Sequence, residues 1–198
     1  MKKVTLTGIL VSLVILFGII SFTSVEGKAE GKTYKIGDCG PAGGWIFYDK
    51  GEYSDGWQYL EAAPNDQSKG ADKQQNDRRP RRTGATGTEI GTGKSNTKRI
   101  ISAQGKGKYA AKICSEYRGG GKKDWFLPSK DELILMYQNL YLHGIGEFAE
   151  GDHDLYISSS EGNDGEEYDY CLTWSLWFYS GKITLSQGLL HVRAIRAF

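Results

Sequence analysis

The amino-acid sequence predicts an α+β domain in which two helices pack on a mainly antiparallel sheet, with long loops between them. Three observations carry that expectation. Stretches of alternating apolar and polar residues stand at 45–62 and again from 155 to the end. Between them, at 108–117 and 129–140, apolar residues recur at helical spacing. The composition, with 27 glycines, 12% aromatic residues and only 4 prolines in 198 residues, suits a domain rich in turns.

The N-terminus comes first in order. Lys2 and Lys3 precede an apolar run from Val4 to Phe22 and an exit of small residues, Ser21 to Gly27, the form of an export signal. The run is also long enough to span a bilayer if it is retained, so removal and anchoring both stay open. The first cysteine is Cys39, well beyond the run, which argues against a lipid-modified mature N-terminus. Residues 1–27 are therefore read as the signal and 28–198 as one domain, large enough for a single core.

Within that domain, Gly43 to Pro64 alternates on either side of a Gly/Ser/Asp turn and predicts a hairpin near 45–49 and 57–62. Residues 65–87 are polar and basic and include "RRPRR" at 78–82, the pattern of a long exposed loop. Asn96 or Thr97 is a candidate cap for a short helix, and Lys108 to Tyr117 a better helix, ended by Gly119 to Gly121. Trp125 to Leu127 should be extended ahead of Pro128. Ser129 then starts a helix with Glu132 three residues on, a capping box, and Leu133, Met136, Tyr137 and Leu140 on one face. The remaining stretches, "LYISSS", "YCLTWSLWFYSG", "KITLSQ" and "LHVRAIRAF", are strand-like, the last expected to finish inside the sheet.

The formal net charge of +1 conceals an asymmetry. Residues 28–130 hold 20 basic and 12 acidic side chains, whereas 131–198 hold 3 and 11. A uniformly basic nucleic-acid binder is not the reading this supports. The string "EIGTGKSNTK" at 89–98 has the look of a phosphate loop. The Walker spacing, however, needs glycine at the position of Thr88, and no apolar strand precedes the string.

Arginines 78, 79, 81 and 82 around one proline suit sulfate, phosphate or carboxylate, with a merely solvated loop as the plainer alternative. Lys94 and Lys98 extend that positive surface. Trp174, Trp177 and Tyr179 lie where strand alternation exposes about half of the side chains, so they are candidates for stacking on sugars. The ligand-binding set read from the sequence is thus Arg78, Arg79, Arg81, Arg82, Lys94, Lys98, Trp174, Trp177 and Tyr179.

Acidic residues at 151–154 and 161–169 lack the spacing of a helix-loop-helix calcium site and read as solvated loops. The isolated His143, His153 and His191 and the absence of C-x-x-C give no transition-metal pattern, so no metal or other cofactor is expected. Cys39, Cys114 and Cys171 allow one disulfide or none, with Cys114 on the buried face of its helix. Ser158, Ser159 and Ser160 fit strand and turn structure better than a nucleophile, and no catalytic motif emerges.

Several strings, taken in order, resemble the Lcl C-terminal domain family of bacterial exported proteins. They are "IGDCGPAGGWIFYDKG" at 36–51, "IGTGKSNT" at 90–97, "AAKICSEY" at 110–117, "DWFLPSKDELILMYQNL" at 124–140, "YISSSE" at 156–161 and "VRAIRAF" at 192–198. The resemblance implies a C-type lectin-like fold of the formylglycine-generating-enzyme variety, used for surface binding, in one adhesin on sulfated glycosaminoglycans. The copper-binding cysteine pair of the enzyme relatives has no match in Cys39, Cys114 or Cys171. Two departures stand out: Ile157 replaces the tryptophan that usually follows Tyr156, and the arginine-rich segment stands where a tryptophan is common.

The expectation is an exported, non-enzymatic binding or adhesion module for an anionic glycan, sulfated or otherwise, or for a surface protein. Nucleic acid is not expected, and a membrane only if the N-terminal run is retained. The alternatives are an envelope structural or protein-interaction domain without a sugar site and, more remotely, an oxidase-like enzyme.

Overall fold

The computed structural model describes residues 32–69, 82–150, 154–162, 172–186 and 190–198, and the fold is that of the compact unit Thr33–Phe198. The N-terminal export segment and Cys171 lie outside the described residues. Among those described, no helix is long and apolar enough to cross a membrane.

Two strands open the domain, β1 (Trp45–Ser54) and β2 (Trp57–Ala62), paired antiparallel as the alternation predicts. β1 runs further than expected, to Ser54, which pairs with Trp57 across a two-residue tip. Asp55 and Gly56 both have positive φ there, 53° and 83°, the geometry in which an Asp-Gly turn matches the twist of its strands.

After the short β3 (Ser68–Lys69) come three helices, α1 (Gly93–Gln104), α2 (Ala110–Glu116) and α3 (Lys130–Asn139). Two helices were expected on the sheet. The string in which a short helix was expected forms α1, the longest of the described helices, and it begins at Gly93. Asn96 and Thr97 do not cap it but sit inside it, buried. Asn96 Nδ2 donates to the Gly87 carbonyl at 2.6 Å, and Thr97 Oγ1 accepts from the Leu127 amide at 3.0 Å. α3 starts as predicted, with both bonds of the capping box between Ser129 and Glu132.

The remaining strands are β4 (Leu155–Gly162), β5 (Leu172–Trp177), β6 (Lys182–Ser186), β7 (His191–Val192) and β8 (Ile195–Ala197). They form two sheets. A three-stranded sheet has the order β1-β2-β8, and a five-stranded sheet the order β3-β7-β4-β5-β6. Among the described residues only the β4–β7 pairing is parallel. The closing stretch is therefore not one strand. It leaves the larger sheet at Val192 and joins the smaller one at Ile195, where Phe126 bridges its other side.

Alternation along β4 explains the layers. Leu155 and Ile157 face a core built with Ile100 of α1 and Ala110, Ala111 and Cys114 of α2. Tyr156, on the opposite face, joins Leu133, Met136 and Leu140 of α3 and Phe47, Leu60 and Ile195 of the small sheet. Ile157 is 2% exposed and belongs to the core packing of that layer. Cys114 is fully buried, and burial pushes its thiol pKa up; Cys39 is exposed, and neither is in a disulfide.

Buried ion pairs tie the layers together. Arg193, which breaks the closing stretch, is 1% exposed. Its Nε donates to Asp66 Oδ1 at 2.6 Å, Nη1 to the carbonyls of Ala63, Pro64 and Gly146, and Nη2 to that of Glu147. Arg196 links Glu61 to Asp124 at 3.0 and 2.9 Å. Partial burial works to raise the Asp124 carboxyl, but the hydrogen bonds and charge of Arg196 hold it below the ordinary range. Glu61 in turn accepts from the amides of Ala42 and Gly44 at 3.0 and 2.8 Å. A Cβ on Gly44 would lie 2.0 Å from the Ala62 carbonyl, which is why glycine stands there.

Candidate binding cleft

The string at 89–98 does bind an anion, and the anion belongs to the protein. Thr92 occupies the N-cap of α1 without making a side-chain cap bond. The backbone leading into the helix is served instead by Glu132 of α3, whose Oε1 accepts from the Gly91 amide at 2.8 Å. Oε2 accepts from Ser129 at 2.7 Å, and the Gly93 amide also bonds this carboxylate. Two further bonds hold the same loop to the start of α3: Ser129 Oγ donates to the Glu89 carbonyl at 2.9 Å, and the Asp131 amide to that of Thr88 at 3.0 Å. Glu132 is 0% exposed, and burial pushes its carboxyl up to about 7 against the opposing pull of the Ser129, Gly91 and Gly93 donors.

Beside this loop opens a cleft of about 360 Å³. One wall is α1, presenting Lys94, Ser95 and Lys98, and the other is the β1–β2 tip with Asp55, Gly56 and Trp57. Lys94 and Lys98 are one turn apart on an exposed face, so their ammonium groups reach the same space. Among the described residues neither is in an ion pair. Trp57 is half-buried; the Lys50 ammonium sits 4.2 Å from its ring centroid, and Tyr48 packs beside it at 6.1 Å. The cleft thus combines two exposed ammonium groups with an indole, the chemistry of a site for an anionic group carried on a ring.

The other residues expected to bind ligand are not gathered here. Arg78, Arg79 and Arg81 lie outside the described residues. Arg82 is exposed, and its neighbours Thr83 and Gly84 are tied to Glu161: Thr83 N donates to Oε1 at 2.6 Å and Gly84 N to Oε2 at 3.1 Å. Trp174 is half-buried with the Lys130 ammonium 5.7 Å from its ring. Trp177, three residues along β5, points to the opposite face and packs against the α1–α2 side of the core. Tyr179 is 59% exposed in the turn after β5, edge-on to Trp177 at 5.8 Å. These three aromatics therefore form no single stacking row.

Trp57, Ser95 and Glu132 were missed as site residues. Trp57 carried a usable signal, an aromatic directly after the Asp-Gly turn of a hairpin. Glu132 was legible only as a local cap, because its second set of partners lies 41 residues away. The three serines of β4 are buried connectors. Ser158 donates to the Trp174 carbonyl and Ser160 to that of Gly87, both at 2.6 Å, and Ser159 accepts from Asn96 at 3.3 Å. Among the described residues no group of three or more His, Cys, Asp or Glu side chains is placed to hold a metal ion; His153 and the acidic stretch 163–169 lie outside them. No family model matches the chain, and no curated protein matches it.

Proposed function

We propose that this chain is an exported, non-enzymatic binding module of the C-type lectin-like type, similar to the Lcl C-terminal domains, and that it recognises an anionic glycan. The observation that carries the reading is the cleft, in which Lys94 and Lys98 stand opposite Trp57. Two ammonium groups one turn apart suit a sulfate or carboxylate on a sugar, and the indole offers an apolar surface for the ring.

Retention on immobilised heparin at two salt concentrations tests this reading. Wild-type protein should elute later at low salt, and K94A/K98A should elute earlier with a shallower salt dependence. Trp57→Ala should lose retention without changing that dependence. Equal retention of wild type and K94A/K98A would reject the cleft as the site. No retention of any form, on heparin or neutral glycans, would favour a protein-interaction domain.

A further inference from the structure

We propose that Glu132 is the positioning residue of the cleft: its carboxylate holds the backbone entering α1 and thereby sets Lys94 and Lys98 against Trp57. The inference rests on the reading of the cleft as the anion site. It follows from which atoms meet at the carboxylate. On one side the Gly91 amide is bonded at 2.8 Å, and a Cβ on Gly91 would lie 3.4 Å from Trp57 Cζ2, so this peptide is wedged between the carboxylate and the indole. On the other side, a Cβ on Gly93 would lie 2.3 Å from Glu132 Oε2 and 2.8 Å from the Leu127 carbonyl. The first turn of α1, with Lys94 next in the chain, can approach this closely only because residue 93 is glycine. Both glycines of the misleading phosphate-loop pattern are thereby accounted for. Thr92 makes no cap bond, and Ser129 and Asn96 hold carbonyls of the same loop at Glu89 and Gly87, whereas among the described residues Glu132 is the side chain that takes the Gly91 amide.

The charged groups around Glu132 are Lys94 and Lys98 from α1, Asp55 from the hairpin tip, Glu89 from the loop, and Lys130 and Asp131 from α3; Asp124 lies beyond Lys94. Burial rather than any of these charges raises the Glu132 carboxyl to about 7, whereas an exposed glutamate titrates near 4.5. Proton binding therefore favours the closed arrangement, and raising the pH through about 7 weighs against it. Glutamine removes the titration but keeps only one accepting atom, so it can serve either the Gly91 or the Ser129 amide and not both.

The test compares wild type, Glu132→Gln and Glu132→Ala in two measurements between about pH 6 and pH 8, where lysine and sulfate keep their charges. In heparin retention, E132A should bind about tenfold more weakly. E132Q, with one accepting atom left, should bind between wild type and E132A and lose the Glu132 part of the pH dependence. Any contribution from His143 or His191 would remain in both. In amide exchange, Gly91 and Gly93 should open about tenfold faster in E132A, with Cys114 in α2 unchanged. A role confined to global stability would slow or speed all three amides together and leave the retention of folded protein unaltered. Should E132A fail to fold, the E132Q and wild-type pH profiles decide, and superimposable profiles overturn the proposal. Should wild type ignore heparin altogether, the glycan reading fails on its own. Exchange then decides the role of Glu132, and equal protection of Gly91 in wild type and variant overturns it.

Discussion

Arg193 and Arg196 in the closing stretch and Lys94 and Lys98 on α1 are all cations within recognisable strings, yet the fold gives them opposite work. The guanidinium of Arg193 is out of water, paired with Asp66 and bonded to four backbone carbonyls from two loops. It lies 4.0 Å from the Phe148 ring centroid, and the loop it holds includes Glu147 at a left-handed φ of 44°. Lys94 and Lys98 face solvent. The difference teaches that the most distinctive strings of this chain are internal staples. The exposed lysines, where a wrong side chain costs little stability, are the cations proposed to meet ligand.

The largest effect that could break this comparison is Arg193→Ala. It takes the guanidinium from Asp66 and from the Ala63, Pro64, Gly146 and Glu147 carbonyls, and should cost about 3–5 kcal/mol in denaturant unfolding. Arg193→Lys should recover little of that, because an ammonium cannot reach both loops. A loss below about 1 kcal/mol would mean that the staple is dispensable.

Next in size is the pH dependence attached to Glu132. Its folded-state value of about 7 lies above the ordinary 4.5, so its stabilising contribution is complete below 4.5 and disappears as the pH rises through 7. Between those limits wild type should lose on the order of 3 kcal/mol relative to E132Q. Unfolding curves at several pH values check the sign, and a wild type that gains on E132Q as the pH rises would reverse it.

The smallest effect is the most telling. K94A/K98A should unfold within about 0.5 kcal/mol of wild type while retention on heparin drops. A large loss of stability would place these lysines among the staples.

What could be read in advance was local. The hairpin at 45–62 follows from alternation around Asp-Gly, the start of α3 from Ser129 and Glu132 three residues apart, and the burial of Cys114 from helical spacing. The misreadings share a cause. Asn96 and Thr97 looked like caps because such residues often are, but they are spent on Gly87 and Leu127, remote in sequence. The closing stretch looked like one strand because its alternation continues through Arg193. Nothing nearby shows that this arginine turns inward to bind Asp66, 127 residues earlier. Trp174 and Trp177 were both candidates for stacking on sugars, and the strand puts them on opposite faces.

By itself the sequence determined the α+β class, the order of most elements and the turn and cap chemistry at their ends, because these depend on neighbours three or four residues apart. Only the tertiary structure decided which charges are buried as staples and which line a cleft. It also decided that a phosphate-like loop is filled by the carboxylate of Glu132. Those outcomes depend on desolvation and on partners brought together from distant parts of the chain, which no local pattern records.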